Sequence, residues 1–376
     1  MGRKLTFTVV AVAAAGALAA GLTVALTGDS DHADTSGHAT STTMHGDMPG
    51  GTVWVANEGA GSLSAIDASS GTVVATLTGI EGPHNVQAAP DGRTVWAVSG
   101  HDDLAAMIDT TTYTLHGTAA TGRAPAHVVV TPDGRTAYVT NGGDGTVTAI
   151  DVAKMTPVAT IPAGDGPHGL RPSPDGRFVY VANTGGGTVS VIATATNRKV
   201  ADIPVGKRPV QVAVAPDGKD LYVTLNGEDA VARVDLATRK LEGTAAVGRG
   251  PIQVFVTPDG ARLVVANQGT DADPGTTVSI VDTRTFAVTG TVETGAGAHG
   301  VAIDPSGTHA YVTNIHAGDV AIVDLDAAAV VARVPVGDEP NGISFSSMAP
   351  AHPATPEIAV MESHGDGGGD MPDDMH

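Results

Sequence analysis

Histidine and methionine, both metal-ligating residues, are concentrated in two polar, glycine-rich segments, residues 27–51 and 348–376. Thioether sulfur suits Cu(I), whereas imidazole suits Cu(II), zinc and nickel. The element Gly-Asp-Met-Pro occurs in both segments, at residues 46–49 and 369–372. This enrichment predicts two disordered tails that bind metal, with copper favoured; ordinary solvating linkers with incidental methionine and histidine are the alternative. The predicted metal ligands are His32, His38, Met44, His45, Met48, His364, Met371, Met375 and His376.

Histidine also recurs at one position of a segment that repeats along the chain, and two further histidines follow in loops of the same repeats. In another copy, His127 lies one position further along. Neutral imidazoles that converge could bind a metal, orient an anion when protonated, or relay protons. The alternative is that histidine here only caps the incoming turn. With the asparagine that occupies the equivalent position of the last copy, the predicted ligand-binding residues are His84, His101, His168, His299, His316 and Asn341.

Basic residues provide a second candidate site, for an anionic small ligand. Arg123, Lys207 and Arg249 each stand two residues before the proline that opens a repeat. They form a basic arc on the same rim of a chain whose formal net charge is −20. The alternative is that these residues are solvated loop charges.

Seven copies of one unit position the histidines and basic residues that lie between the two tails. The copies are 42 residues apart, except for one step of 47 that contains an inserted loop, Thr270–Gly275. Each unit contains four short runs rich in Val, Ile, Thr and Tyr and bounded by Gly, Asp and Asn, which predict strands. Four antiparallel strands in a unit of this length are typical of a propeller blade. We therefore predict an all-β, seven-bladed propeller with four-stranded antiparallel blades.

Turn-forming residues separate the predicted strands. Pro-Asp-Gly at Pro90, Pro132 and Pro174 predicts tight turns in which glycine adopts a left-handed conformation. Asparagine ends the second strand of most units and aspartate the third. Both predict Asx turns, in which the side chain bonds its own backbone. These residues are Asn57, Asn141, Asn183, Asn267 and Asn314, and Asp67, Asp109, Asp151, Asp235, Asp282 and Asp324.

The two ends of the repeat region complete one blade. Residues 52–79 supply three strands, and Pro340–Ser346 supplies the missing innermost strand. Closing the ring in this way removes exposed strand edges. We therefore predict one propeller domain over residues 52–347, between the two tails. The turn that would join these ends is missing, so Gly51 and Ser347 are expected to be neighbours. Both tails are then expected to leave the propeller on the face opposite the repeated histidines His84, His168 and His299.

The N-terminal residues 1–26 have the pattern of an export signal. Arg3 and Lys4 precede an apolar run that ends at Leu26, as in a secretory signal. The run is also long enough to cross a bilayer. Either reading predicts that the rest of the chain is extracytoplasmic, secreted or in the cell envelope, with a membrane as partner only if this segment is uncleaved.

Composition excludes several classes of function. The absence of cysteine excludes disulfide frameworks, thiol catalysis and covalent c-type haem attachment. The acidic net charge disfavours contact with nucleic acid phosphates. We expect a monomer without a nucleic acid partner.

The repeat carries a recognisable motif. Ala-Tyr-Val-Thr-Asn occurs at residues 137–141 and 310–314, and Val-Tyr-Val-Ala-Asn at 179–183. The chain therefore resembles the YVTN family of extracytoplasmic seven-bladed β-propellers over residues 52–347. This resemblance implies a relation to surface-layer proteins, lactonase-like propellers and haem d1 propellers, and across that range the fold does not determine function.

Three functions are compatible with this resemblance. The favoured one is a non-catalytic scaffold that binds an unknown protein or small molecule on its open face, with metal-binding tails, because no unrepeated catalytic constellation is present. The first alternative is a metal-dependent lactonase-type hydrolase at the channel mouth; the resemblance implies Glu, Asn and Asp ligands there, and only Asn341 fits. The second is a haem d1-like cofactor protein, which the channel histidines permit but seven blades instead of eight disfavour.

Overall fold

The computed structural model describes residues 48–351, which form 28 β-strands and one turn of 3-10 helix, Asn226–Glu228. The first fourteen strands are β1 (Thr52–Asn57), β2 (Ser62–Asp67), β3 (Thr72–Thr78), β4 (Pro83–Ala88), β5 (Thr94–Ser99), β6 (Leu104–Asp109), β7 (Leu115–Ala120), β8 (Pro125–Val130), β9 (Thr136–Asn141), β10 (Thr146–Asp151), β11 (Thr156–Pro162), β12 (Pro167–Pro172), β13 (Phe178–Asn183) and β14 (Thr188–Ala193). The others are β15 (Arg198–Pro204), β16 (Pro209–Val214), β17 (Asp220–Leu225), β18 (Ala230–Asp235), β19 (Lys240–Ala246), β20 (Pro251–Val256), β21 (Arg262–Thr270), β22 (Asp273–Asp282), β23 (Ala287–Glu293), β24 (Ala298–Ile303), β25 (His309–Asn314), β26 (Asp319–Asp324), β27 (Ala329–Pro335) and β28 (Pro340–Ser346).

These strands form seven four-stranded antiparallel sheets, the blades of a propeller. Blade 1 has the strand order β28-β1-β2-β3, and blades 2 to 7 take the remaining strands four at a time in chain order. The first strand of each order, strand a, is innermost, because the a strands of neighbouring blades contact one another around the centre. The predicted seven-bladed propeller and its closure by the C-terminal strand are confirmed.

Burial falls from the centre of each blade to its outer edge. Strand β9, the second of blade 3, is buried at five of its six residues, whereas the fourth strand, β11, is exposed or half-buried at all but one. This gradient follows from packing, since blades bury their sheet faces against each other and leave only the outer strand in water. Trp54 and Trp96 are fully buried at the position that tyrosine occupies in other blades.

The turns between strands a and b have the conformation that Pro-Asp-Gly predicts. Gly92, Gly134 and Gly176 have φ values of 69°, 70° and 70°, a region that disfavours residues with a Cβ. The aspartates that end the third strands also form the predicted turns. The carboxylate of Asp67, for example, accepts hydrogen bonds from the backbone N–H and the hydroxyl of Ser69 at 2.8 and 2.6 Å.

The asparagines that end the second strands do not form Asx turns, so that prediction was wrong for them. The buried amide of Asn183 donates instead to the hydroxyls of Thr188 and Ser190 on the adjacent strand, at 3.0 and 2.9 Å. Asn57 bonds two serine hydroxyls in the same way. The amide faces the neighbouring strand because these hydroxyls lie on the same side of the sheet, directly across the ladder.

Blade 6 carries its extra residues as a longer hairpin. Strands β21 and β22 stay paired out to Gly269 with Pro274 and Thr270 with Asp273. The predicted loop over Thr270–Gly275 is therefore mostly strand. Pairing continues because backbone groups that leave the ladder would need other hydrogen-bond partners.

The two ends of the propeller domain meet in blade 1, as predicted. Thr52 pairs with Ser346 across β1 and β28, and the Thr52 hydroxyl donates to the backbone carbonyl of Met348 at 2.9 Å. The predicted segment 1–26 and residues 27–47 and 352–376 lie outside the described residues. Within residues 48–351 no helix is long and apolar enough to cross a membrane.

Candidate metal centre

The first residues of the seven a strands fill the central channel at one end of the propeller. The side chains that follow the opening Pro or Ala are all buried. These residues are His84, Ala126, His168, Val210, Ile252, His299 and Asn341. Between Pro125 and Val128 the register of β8 shifts against β9, and the same shift recurs at the start of β12, β16, β20 and β24. Such an irregularity breaks the strict alternation of side chains. His127, one position later, is also buried, and its ring contacts those of His84 and His168.

Three histidines from three consecutive blades form a cluster in this layer. The ring centroids of His127 and His168 are 4.7 Å apart, and His84 lies 5.7 and 5.5 Å from these two rings. One nitrogen from each residue lies within 4.8 Å of the others, and all three side chains are buried. Nitrogen ligands of a tetrahedral Zn²⁺ ion, with Zn–N bonds of about 2 Å, lie about 3.3 Å from one another. The three rings would therefore have to approach one another by up to about 1.5 Å to bind such an ion through all three nitrogens.

Hydrogen bonds at Nδ1 orient two of the rings. Nδ1 of His84 lies 3.1 Å from Oε2 of Glu58, which also accepts a hydrogen bond of 2.6 Å from the Asn341 amide. Nδ1 of His168 lies 3.3 Å from the backbone carbonyl of Val210. Carboxylate and carbonyl oxygens only accept, so these contacts favour the tautomer with the proton on Nδ1 and the lone pair on Nε2. At His84 the Asn341 amide nitrogen also lies 3.1 Å from Nδ1. Metal-binding histidines have this arrangement, since the outer hydrogen bond fixes the tautomer.

Several nitrogens of this layer have no hydrogen-bond partner among the described residues. They are Nε2 of His84, both ring nitrogens of His127 and Nδ1 of His299. Burial and the neighbouring histidines hold the pKa of His127 well below its usual value, and burial lowers the pKa of His299 to about 3. Both rings are therefore uncharged at neutral pH. A buried polar atom without a partner costs about 1–3 kcal/mol, which a metal ion or water bonded to these nitrogens would recover.

An acidic cavity adjoins the cluster. Glu58, which contacts His84, lines this cavity of about 130 Å³ together with Asp271, His316 and Glu339. Three carboxylates around one opening create a negative potential that attracts cations. The cavity therefore favours a cation beside the Glu58 carboxylate that contacts His84.

The structure separates the predicted channel residues into three groups. His84, His168, His299 and Asn341 are buried together in the channel layer. His316 is exposed at the cavity, with Nε2 3.7 Å from a carboxylate oxygen of Asp271. His101 is exposed in the loop after β5, so it stays outside the cluster.

The predicted basic arc is largely neutralised within its own loops. Arg123 forms an ion pair with Asp144 at 2.7 Å, and Arg249 forms one with Asp273. Lys207 is exposed, and its backbone N–H donates to Glu228. Two of the three basic side chains, Arg123 and Arg249, are already paired with carboxylates. An anionic ligand would have to displace these carboxylates.

Of the nine predicted tail ligands, only Met48 lies within the described residues. Its side chain is half-buried and packs on an apolar cluster that includes Tyr311 and Phe345. The other eight, His32, His38, Met44, His45, His364, Met371, Met375 and His376, lie outside residues 48–351. Met48 therefore serves as a packing residue where the N-terminal tail joins blade 1.

Two residues of the candidate site, His127 and Glu58, were not among the predicted ligands. His127 stands one position later than the other histidines of the repeat. Glu58 lies in the loop after β1, and its contacts reach Asn341, 283 residues away. A signal for His127 was present: the chain places histidine at the start of three consecutive a strands. For Glu58 the only available signal was its place directly after the repeated Asn57.

Comparisons with known proteins agree with this fold. The family model of the YNCE-like beta-propeller matches residues 92–351. No protein of curated function shows significant sequence similarity to the chain. A hydrazine synthase chain from Kuenenia stuttgartiensis superposes with a TM-score of 0.64 at 26% identity, covering 70% of this chain and 89% of its own.

Two further solved structures are similar at 16% identity, which shows the fold alone. A functionally unknown protein from Desulfotomaculum acetoxidans has a TM-score of 0.69 and covers 81% of this chain and 99% of its own. The dihydro-haem d1 dehydrogenase NirN has a TM-score of 0.59 and covers 81% of this chain and 77% of its own. The neighbours differ in function, so the fold selects none of these activities for this chain.

Proposed function

The chain belongs to the YNCE-like beta-propeller family, and from that premise we propose that it is an extracytoplasmic, non-catalytic propeller that binds a divalent transition-metal ion. The ligands are Nε2 of His84, Nε2 of His168 and a ring nitrogen of His127. Imidazole suits Cu²⁺, Zn²⁺ and Ni²⁺, and a given nitrogen site binds Cu²⁺ more tightly than Zn²⁺. We therefore expect the tightest binding for Cu²⁺.

One observation supports this proposal above the others. Three buried histidines bring one nitrogen each to within 4.8 Å of the others, and His127 has no partner at either nitrogen among the described residues. Packing alone would favour apolar residues at these positions, as Val210 and Ile252 show in the same layer. Three imidazoles in place of such residues cost free energy unless something bonds to them.

The size of the adjoining cavity favours binding over hydrolysis. Its volume of about 130 Å³ admits an ion and a few waters, whereas small-molecule sites usually occupy about 300–1,000 Å³. The lactonase-type and haem d1-like alternatives both need room for an organic molecule beside the histidines. Export by the N-terminal segment would place the site where envelope metal ions reach it.

A titration of the full-length protein with Cu²⁺ and Zn²⁺ tests the proposal. His127→Phe removes the central ligand with an apolar ring of similar size, and His116→Phe is the matched control because His116 is exposed on β7. We expect the His127 variant to lose about one bound ion per chain, with wild-type stoichiometry in the control. Co²⁺-loaded protein should show the visible absorption of a tetrahedral nitrogen site. Equal stoichiometry in all three proteins would contradict the proposal.

The tails form a second proposed site, for Cu(I). Both ends of the propeller domain lie in blade 1, where Thr52 pairs with Ser346 and its hydroxyl donates to the carbonyl of Met348. The two tails are therefore attached at neighbouring positions. A full-length variant with Leu at Met44, Met371 and Met375 is expected to bind less Cu(I) than wild type. Met107→Leu, in the buried core, is the control. Unchanged Cu(I) stoichiometry in the triple variant would remove the tails from the proposal.

A further inference from the structure

A larger cavity lies at the other end of the channel, on the face of the turns between strands a and b. Its volume is about 490 Å³, within the range of small-molecule sites. The turn prolines Pro90, Pro132 and Pro174 line it, together with the side chains of Phe255 and Phe345. The histidine cluster is at the opposite ends of the same strands, so this cavity is distinct from the proposed metal centre.

Arg171 supplies a positive charge to this cavity. One N–H of its guanidinium donates to the backbone carbonyl of Leu170 at 3.0 Å, and the group lies 5.1 Å from the centre of the Phe255 ring. Among residues 48–351 no carboxylate lies within ion-pair distance of it. Desolvation lowers the pKa of Arg171 to about 10, so the side chain is still charged at neutral pH.

Within the described part of the chain, the backbone carbonyl of Leu170 is the one acceptor for Arg171, so this partly desolvated guanidinium has N–H groups that can bind an oxyanion. Guanidinium matches the geometry of a carboxylate or sulfonate and bonds it through two parallel N–H groups. An ion pair of this kind strengthens when apolar walls exclude water. Asp91 also lines the cavity, but its carboxylate accepts a hydrogen bond from the Arg93 N–H and does not pair with Arg171.

We propose that this cavity binds a small organic anion, with its carboxylate or sulfonate on Arg171 and its apolar body against Phe255 and Phe345. The two aromatic rings and the prolines offer an apolar surface that favours an aromatic or aliphatic body. The cavity volume accommodates a molecule of the size of a naphthalene sulfonate. A neutral ligand of the same shape would gain the apolar contacts and lack the ion pair.

Fluorescence titration of the full-length protein tests the proposal with two probes of similar shape. Anilinonaphthalene sulfonate carries the anion, and N-phenylnaphthylamine lacks it. Arg171→Met removes the charge and keeps the length of the side chain. Arg177→Met is the matched control, since Arg177 is exposed, pairs with Asp175 and lies outside the cavity.

We expect saturable binding of the sulfonate, weakened about tenfold or more by Arg171→Met and unchanged by Arg177→Met. Binding of the neutral probe should change by less than about twofold in either variant. Equal weakening of both probes, or equal effects of both substitutions, would overturn the assignment.

A second variant keeps the proposal testable if Arg171→Met fails to fold. Ser347 is exposed at the rim of the cavity, so Ser347→Trp should fold normally while it obstructs the opening. We expect this variant to weaken both probes and to keep wild-type Zn²⁺ binding at the histidine cluster. Undiminished binding of the sulfonate to Ser347→Trp would place the probe elsewhere and refute the proposal.

Discussion

The carboxylate of Glu58 lies 3.1 Å from Nδ1 of His84, and this contact joins the loop of one blade to the channel of the next. The same carboxylate oxygen accepts a hydrogen bond from Asn341 on β28. Glu58, which follows β1, therefore links β28 of the closing blade to His84 of the proposed metal centre. It holds the proton of His84 on Nδ1, so that Nε2 keeps the lone pair that a metal ion needs.

Glu58→Gln is expected to weaken Zn²⁺ binding about tenfold without unfolding the propeller. Outer hydrogen-bond partners of metal-binding histidines usually contribute about 10–100-fold to affinity, and glutamine replaces a charged acceptor by a neutral one. Glu339→Gln is the control, because Glu339 lines the same cavity without contacting His84. Competition with a chromogenic chelator measures both affinities. If the two variants weaken binding equally, Glu58 acts only through the charge of the cavity.

Asn183→Ala is expected to lower the free energy of unfolding by about 1–3 kcal/mol. The substitution removes a part-buried hydrogen bond to Thr188 and a buried one to Ser190, and it leaves both hydroxyls without this donor. The neighbouring Thr184→Ala is the control, since the Thr184 hydroxyl has no partner among the described residues. Chemical denaturation monitored by circular dichroism measures both. A loss in the control as large as in Asn183→Ala would show that the bonds to β14 are not the cause.

The repeat period made the fold predictable from the sequence. Strand order, blade closure by Pro340–Ser346 and the glycine turns follow from local patterns that recur in every unit, so each copy reinforces the others. The asparagines show where such reasoning fails. A residue that ends a strand suggests a local turn, and only the three-dimensional register shows that Asn183 faces hydroxyls on the next strand.

The candidate site was only partly predictable, because the three-dimensional register of a strand decides which groups its side chains face. His84, His168, His299 and Asn341 share one repeat position, and the structure brings them into one buried layer. His127 stands one position later, and its ring still contacts those of His84 and His168. Strict alternation along a strand places it on the other side. The register shift at the start of β8, which recurs in other a strands, removes that alternation, and the sequence pattern does not reveal it.

Ala328→Gly is expected to raise the free energy of unfolding by about 0.5–1 kcal/mol. Ala328 has a φ of 50° in the turn between the third and fourth strands of blade 7, where Gly71 stands in blade 1 with a φ of 63°. Left-handed backbone strains any residue with a Cβ, and glycine removes the strain. The adjacent Ala327→Gly should lower stability instead, because Ala327 lies outside the left-handed region. Thermal unfolding measures the stability of both variants. Lower stability of both variants than of wild type would contradict the assignment of backbone strain to Ala328.

The Asp109 carboxylate, in the turn after β6, makes the stability of the propeller depend on pH. Hydrogen bonds, led by the one from the Thr111 hydroxyl, lower the pKa of Asp109 to about 2, whereas an aspartate in an unfolded chain has a pKa of about 3.9. The unfolded state therefore binds the proton first. The stability that Asp109 contributes is complete above about pH 4 and is lost as the pH falls towards 2.

Asp109→Asn should therefore be less stable than wild type at neutral pH, and the difference in Tm should shrink between about pH 4 and pH 2. Asparagine accepts hydrogen bonds in the same turn but carries no charge, so protonation no longer changes its bonds. Asp338→Asn is the control, because the exposed Asp338 carboxylate accepts no hydrogen bond from residues 48–351. Thermal unfolding at several pH values measures the three proteins. A Tm difference between wild type and Asp109→Asn that stays constant down to pH 2 would show that the Thr111 hydroxyl does not stabilise the ionised carboxylate.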